Sequence, residues 1–224
     1  MRPPMSSAIC LSAIVLAAGT GSRSGGPIPK QYRQLGPLSV LAHSVKACLD
    51  HPSIGTVIVV VSPGGVEDAK AALGPLAERV TFVDGGAARR ASVHNALEAL
   101  ADTAGSSSHV LVHDSARPGL TAAVLDRLID ALREGAAGAM PVLPVVDTLV
   151  LDEGGKSGDV IDRTRLRRVQ TPQAFPFALL LDAHRNWDRP EEPTDDAQMV
   201  RARGHDIALV EGDARLEGVA RARF

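Results

Sequence analysis

Two kinds of apolar pattern alternate along the first 140 residues of the chain. Ser-Ala-Ile-Val-Leu at 12–16 and Thr56–Val61 are unbroken apolar runs rich in β-branched residues, and each predicts a strand covered on both faces, as in a parallel sheet. Between them, Leu38, Leu41, Val45, Cys48 and Leu49 recur at helical spacing after Gly36-Pro37, which predicts a helix over 38–49. The alternation goes on with a helix at 66–73, a strand at 80–83, a helix at 91–100, a strand at 110–113 and a helix at 122–133. Such a β-α-β rhythm predicts a three-layer α/β/α, Rossmann-like domain around a mostly parallel sheet.

The rhythm breaks after Met140. Pro141 and Pro144 bracket a short strand, and two extended ribbons, 146–151 and 160–169, flank the polar turn 152–158. This predicts a β-hairpin arm at about 145–170, projecting from a single domain that takes in residues 1–224. A hairpin unable to bury both faces in its own core needs a partner, so the arm predicts a homodimer. Core pattern returns with a helix at 176–184, a helix beginning at Thr194 and capped by Asp195, and a strand at 207–210, while the Ala-Gly-Ser stretch 101–108 reads as a loop.

Composition narrows the function. A net charge of -2 offers no broad attraction to nucleic acid or to an anionic membrane, so phosphate recognition has to come from locally gathered cations and the ligand should be small. The only cysteines, Cys10 and Cys48, sit in apolar stretches and suit buried thiols in a reducing cytoplasm. Arg2 and the apolar run 8–18 have the outline of a secretory signal. The run is too short for a membrane span, which needs about 20 apolar residues, and cleavage would discard half of the loop that follows.

That loop carries the chemistry. The first strand runs into Leu16-Ala17-Ala18-Gly19-Thr20-Gly21-Ser22-Arg23, and Pro29-Lys30 follows. Small residues let backbone N–H groups close on a polyphosphate, and Arg23 and Lys30 add the positive charge that neutral amides lack. Ser24 stands where a dinucleotide fingerprint needs its third glycine, and the Gly-Lys-Ser/Thr of a P-loop is absent, which disfavours both of those sites. Asp84-Gly85-Gly86 and His113-Asp114 end two further strands at the carboxyl edge, where parallel sheets bind ligands. A carboxylate is costly to bury there without work to do, so Asp114 reads as a contact to metal, ribose or substrate; His113, on the opposite face of its strand, reads as structural.

The ordered blocks Leu16–Arg23, Pro29-Lys30-Gln31-Tyr32, Asp84-Gly85-Gly86 with Arg89 and Ser92, Val112–Pro118, Pro144–Thr148, Asp162-Arg163, Thr171-Pro172-Gln173 and Thr194–Ala197 resemble one family across residues 13 to about 212. They are similar to the cytidylyltransferases that act on 2-C-methyl-D-erythritol 4-phosphate and on ribitol 5-phosphate. The resemblance implies transfer of CMP from CTP to a polyol phosphate with release of pyrophosphate, assisted by Mg²⁺, in the isoprenoid precursor route for the first acceptor. It implies that Asp84, Gly85, Gly86 and Ser92 read the cytosine, that Asp114 and Ser115 meet the ribose and acceptor with Asp114 beside the metal, and that Arg117 touches the acceptor. Thr148, Arg163 and Thr171 match positions that bind the acceptor phosphate across a dimer. One departure stands out: Gly218 falls where the family has an acceptor-binding lysine, with Arg215 or Arg221 as potential substitutes. The departure keeps two alternatives open, a different polyol phosphate as acceptor and a nucleotide-binding homologue that acts as a regulatory partner without turnover.

Overall fold

The computed structural model describes residues 9–19, 28–103 and 107–218. Its elements in chain order are β1 (Leu11–Leu16), β2 (Gln34–Leu35), β3 (Leu38–Ser39), α1 (Val40–Leu49), β4 (Ile54–Val61), α2 (Val66–Leu73), β5 (Thr81–Asp84), α3 (Arg89–Ala101) and β6 (His109–Asp114). They continue with α4 (Ala122–Arg133), β7 (Ala139–Pro144), β8 (Leu149–Asp152), β9 (Ser157–Ile161), β10 (Arg167–Val169), β11 (Gln173–Pro176), α5 (Phe177–Arg185), α6 (Asp196–Ala202) and β12 (Ala208–Glu211).

Eight strands form one sheet in the order β10-β7-β11-β6-β1-β4-β5, with β12 on the free edge of β7. Strands β5, β4, β1, β6, β7 and β12 point one way, whereas β10 and β11 run against them. Alternate residues of the central strands feed opposite faces. Ala13 and Val15 of β1, Val57, Val59 and Val61 of β4, and Leu111 of β6 pack with α1, α2 and α4. Ile14, Ile58, Val60, Val110 and Val112 pack with α3, α5 and α6. Two buried faces explain the unbroken apolar runs, and the expected three-layer α/β/α architecture is the one observed.

Local chemistry moved several boundaries. The first helix starts at Val40 rather than Leu38, because Leu38 and Ser39 pair with Gln34 and Leu35 across the Gly36-Pro37 turn. Ser39 then caps the helix, its Oγ accepting from the Ala42 N–H at 3.0 Å while donating to the Ala72 carbonyl at 2.8 Å. The ribbon expected over 160–169 is two strands. β9 closes a hairpin with β8, while β10 returns to the main sheet beside β7. The projecting hairpin is therefore 149–161, narrower than the expected arm. β11 escaped the sequence reading altogether: Gln173–Pro176 is too short to show a period and lies against α5, yet it is the antiparallel link between β6 and β7.

Phe175 on β11 is fully buried, and a methyl group at Gly138 would approach its ring to 2.6 Å, so this link is packed without slack. Phe175→Ala is expected to cost about 3–5 kcal/mol of stability, the range for emptying such a site. Urea denaturation of the variant against wild type measures it.

Candidate active site

Four strands end together at the carboxyl edge. Leu16 of β1 pairs with Val60 of β4 and with Asp114 of β6, and Val61 pairs with Asp84 of β5. The loops that follow surround a cavity of about 750 Å³, walled by Ala17, Ala18, Gly19, Lys30, Gly86, Arg89, Ser92, Asp114 and Ser115 among others. Thr20, Gly21 and Arg23, the other expected members of the first loop, lie outside the described residues.

Side chains from elsewhere hold the first loop open. Gln31, buried beside it, donates through Nε2 to the carbonyls of Ala17 at 2.8 Å and Gly19 at 2.9 Å, and Ser62 Oγ donates to the carbonyl of Ala18 at 2.9 Å. These bonds spend the loop's carbonyls on the protein. The sequence reading gave no role to Gln31, although Pro29-Lys30-Gln31-Tyr32 was one of its motifs; an amide two residues after a loop proline gives no hint of which carbonyls it will reach.

The β5 exit shows why glycines are needed there. A Cβ on Gly85 would sit 2.6 Å from the Ala18 Cβ, and one on Gly86 would sit 2.4 Å from the Ala91 Cβ. Gly85 backs the cavity and Gly86 lines it. The Ser92 hydroxyl accepts from the Gly86 N–H at 3.1 Å and donates to the Ala88 carbonyl at 3.0 Å, which leaves it one lone pair for a ligand. Asp84 is exposed and off the cavity wall, its carbonyl accepting from Asn95 Nδ2 at 3.0 Å.

A second cavity, about 400 Å³, adjoins the first and shares Lys30, Asp114 and Ala116 with it. Arg117, Arg168, Gln170, Glu217 and Gly218 complete its wall. Gln170 is buried and clamps the chain after β12, donating to the Asp213 carbonyl at 2.8 Å and accepting the Asp213 N–H at 3.1 Å. That clamp, with Arg117 Nη1 donating to the Leu216 carbonyl at 2.8 Å, carries Glu217 and Gly218 to the cavity. Glu217 pairs there with Arg168. Arg215 instead forks onto Asp213 and does not line this wall, and Arg221 lies outside the described residues.

Asp114 sits between two guanidinium groups, 3.6 Å from Arg89 Nε and 3.7 Å from Arg117 Nε. Its backbone is fixed by Thr171, whose hydroxyl accepts the Asp114 N–H at 3.0 Å and donates to His113 Nδ1 at 3.2 Å. His113 Nε2 therefore carries the ring proton and donates to the Arg117 carbonyl at 3.1 Å. Thr171 is buried and lines neither cavity, so within one chain it positions Asp114. Thr148 and Arg163 are exposed at the root of the hairpin, where Arg163 Nη1 donates to the Val146 carbonyl; neither reaches a cavity of its own chain.

Arg89 also grips Asp196, Nη1 donating to Oδ2 at 2.7 Å, and His184 Nε2 donates to the other oxygen of Asp196 at 2.9 Å. Burial opposes the charge on Arg89, but Asp196 and Asp114 outweigh it and raise the guanidinium pKa. Burial likewise works against ionised Asp196, yet Arg89 and His184 hold its carboxyl below the ordinary range.

Known proteins align over nearly the whole described chain. Residues 11–221 match the family model described as 2-C-methyl-D-erythritol 4-phosphate cytidylyltransferase. A relative in Rhizorhabdus wittichii, the bifunctional enzyme IspD/IspF, is 50% identical over 92% of this chain and 52% of its own length. The 2-C-methyl-D-erythritol 4-phosphate cytidylyltransferase of Cereibacter sphaeroides is 43% identical over 90% of this chain and 87% of its own. This chain spans about half the length of the bifunctional relatives it matches. The crystal structure of 2-C-methyl-D-erythritol 4-phosphate cytidylyltransferase from Thermus thermophilus superposes with a TM-score of 0.74 at 38% identity, covering 92% of this chain and 90% of that one.

His113 links this geometry to pH. Burial depresses its pKa from an ordinary 6.5 to about 4, so the unfolded chain takes up a proton in that window before the folded chain does. Stability is then lost as pH falls from 6.5 toward 4, by on the order of 3 kcal/mol from this residue. Urea midpoints across that range should fall more steeply for wild type than for His113→Gln.

Proposed function

The chain belongs to the 2-C-methyl-D-erythritol 4-phosphate cytidylyltransferase family, and from that premise we propose that it transfers CMP from CTP to 2-C-methyl-D-erythritol 4-phosphate, releasing pyrophosphate, in the making of isoprenoid precursors. One observation carries the reading. Two cavities meet at Lys30 and Asp114, so a donor in the larger and an acceptor in the smaller would face each other across one ammonium and one carboxylate. The Cereibacter sphaeroides and Thermus thermophilus relatives bear the methylerythritol name, which favours that acceptor over ribitol 5-phosphate.

In this reading Ala18, Gly19, Thr20 and Gly21 cradle the triphosphate with their N–H groups, Ala17, whose own N–H goes to the Val60 carbonyl at 2.7 Å, walls the cavity beside them, and Arg23 stands with Lys30 as its cations. Gly85, Gly86 and Ser92 set the width of the base pocket, with Asp84 at its rim; Asp114 and Ser115 meet the ribose. The acceptor's phosphate oxygen attacks the α-phosphorus in line and pyrophosphate departs. A phosphate monoester is already anionic at neutral pH, so no side chain need act as general base, and catalysis reduces to positioning and charge neutralisation. Lys30, at the junction, suits that neutralisation best among the described residues.

Arg117 and Arg168 join Lys30 in supplying the positive charge of the acceptor cavity, where Gly218 leaves a cation fewer than the family pattern. Arg163 and Thr148 complete it from a partner chain, with Thr171 acting beneath Asp114. Such a homodimer would use the hairpin and its root, where Val146, Leu149, Val150, Leu151 and Val160 are exposed apolar side chains without cover from their own core.

No group of three or more His, Cys, Asp or Glu side chains converges as a metal cage among the described residues. Asp114 alone fits Mg²⁺, which keeps several waters and is commonly held by one or two carboxylates together with substrate phosphates. Bound there, the ion would supply further neutralisation of the triphosphate. We read the whole chain as one nucleotidyltransferase domain. A cytoplasmic location accords with two free cysteines, one of them buried, and with the absence among the described residues of any helix long and apolar enough to cross a membrane.

Incubation with CTP, Mg²⁺ and a panel of polyol phosphates should release pyrophosphate with 2-C-methyl-D-erythritol 4-phosphate; release with another polyol phosphate alone, or with none, would overturn the proposal. Lys30→Ala should lower turnover by about 10²–10³, the scale of one lost electrostatic donor, as read by the same assay. Size-exclusion chromatography with light scattering should give twice the chain mass, and charged replacements at Val150 and Val160 should shift it to the monomer.

A further inference from the structure

Arg89 and the Thr194–Ala197 segment are 107 positions apart at their point of contact, and both stand among the sequence motifs without a part in the chemistry above. The structure joins them. Asp196 is about 1% exposed, opens α6 and touches neither cavity. A carboxylate so buried has to be paired, and both its oxygens are: Oδ2 by Arg89, Oδ1 by His184. Gln173 fixes the helix that carries it, accepting the Ala197 N–H at 3.0 Å through Oε1 and donating through Nε2 to Asp195 at 2.9 Å. Asp196 is thus a fixed point.

Arg89 is its partner at the cavity. The guanidinium lies on the wall of the larger cavity, about a third exposed, with Nη1 on Asp196 and Nε 3.6 Å from Asp114. The two contacts differ in kind: the first is a short charge-assisted hydrogen bond, the second an ion pair too long to be one. Asp196 therefore keeps Arg89 from closing on Asp114, and Asp114 keeps oxygens free for the junction between the cavities.

We propose that Asp196 is a positioning residue for nucleotide binding, acting through Arg89, which it holds on the wall of the larger cavity so that the guanidinium faces the ligand and Asp114 stays open at the cavity junction. Without the restraint the guanidinium collapses onto Asp114, and both groups are lost to the ligand. A planar fork is required, since a lysine ammonium is a point charge that cannot hold Asp196 and face the ligand together. This inference rests on the nucleotide reading of the larger cavity.

Calorimetry of CTP binding with Mg²⁺ tests it on the full chain, without acceptor or turnover. Asp196→Asn is expected to weaken CTP binding about tenfold or more, the scale of one displaced charge-assisted contact. Arg89→Gln should weaken it similarly, and the double variant should bind no worse than Arg89→Gln alone, because the two act through one route. Arg89→Lys, which retains the charge and a partner for buried Asp196, should also lose affinity while melting near the wild-type temperature; it gives the answer should Asp196→Asn not fold. Wild-type CTP affinity in Arg89→Lys, or strictly additive losses in the double variant, would overturn the inference alone. Failure of the wild type to bind CTP would overturn the nucleotide reading and this inference together.

Discussion

A sheet buried on both faces presents its backbone to ligands only where its strands end. Strands β1 and β4 have almost no exposed side chain over their shared length, and helices cover both sides. Every other feature of the site follows from that confinement. Four loops have to fit side by side at the carboxyl edge, and their carbonyls need donors if their N–H groups are to remain for a ligand. Gln31 and Ser62 supply those donors to the first loop, while the bare backbones of Gly85 and Gly86 let the exit of β5 lie against Ala18 and Ala91, and Ser92 holds the Gly86 N–H.

Charge is organised around the same edge. Asp114 comes out of β6 between Arg89 and Arg117, each of which is engaged elsewhere, one by Asp196 and the other by the Leu216 carbonyl. Loose pairing of this kind places positive charge on both sides of the carboxylate without tying up its oxygens in a close hydrogen bond. Behind it, Thr171 and His113 lock the backbone through an uncharged hydroxyl–imidazole pair, which adds rigidity without adding charge to the pocket. The smaller cavity is more compromised: Glu217 is paired with Arg168, and Gly218 offers no side chain.

The hairpin obeys a different rule. β8 and β9 pair only with each other, so their apolar side chains have no core of this chain to enter. Thr148 and Arg163 at its root are likewise directed away from both cavities of their own chain. These two observations are what the proposed sharing of the site between protomers rests on.

Much of this was legible in the order of residues. Hydrophobic runs covered on both faces announced β1, β4 and β6, helical spacing announced α2 and α4, and the resemblance rested on short blocks whose spacing survives in a linear string. Ala17, Gly19, Lys30, Gly86, Ser92, Asp114 and Ser115 do meet at one cavity. What the string could not carry was any relation between distant segments. β11 is four residues with no period of its own and exists because β6 and β7 leave a gap of one strand. The commitment of Thr171 to Asp114, of Gln31 to the first loop and of Asp196 to Arg89 likewise depends on which remote atoms come within hydrogen-bond distance after folding. Local sequence determines periodicity and the chemical nature of each side chain; the partner of a side chain is settled only when the sheet has brought remote strand ends together.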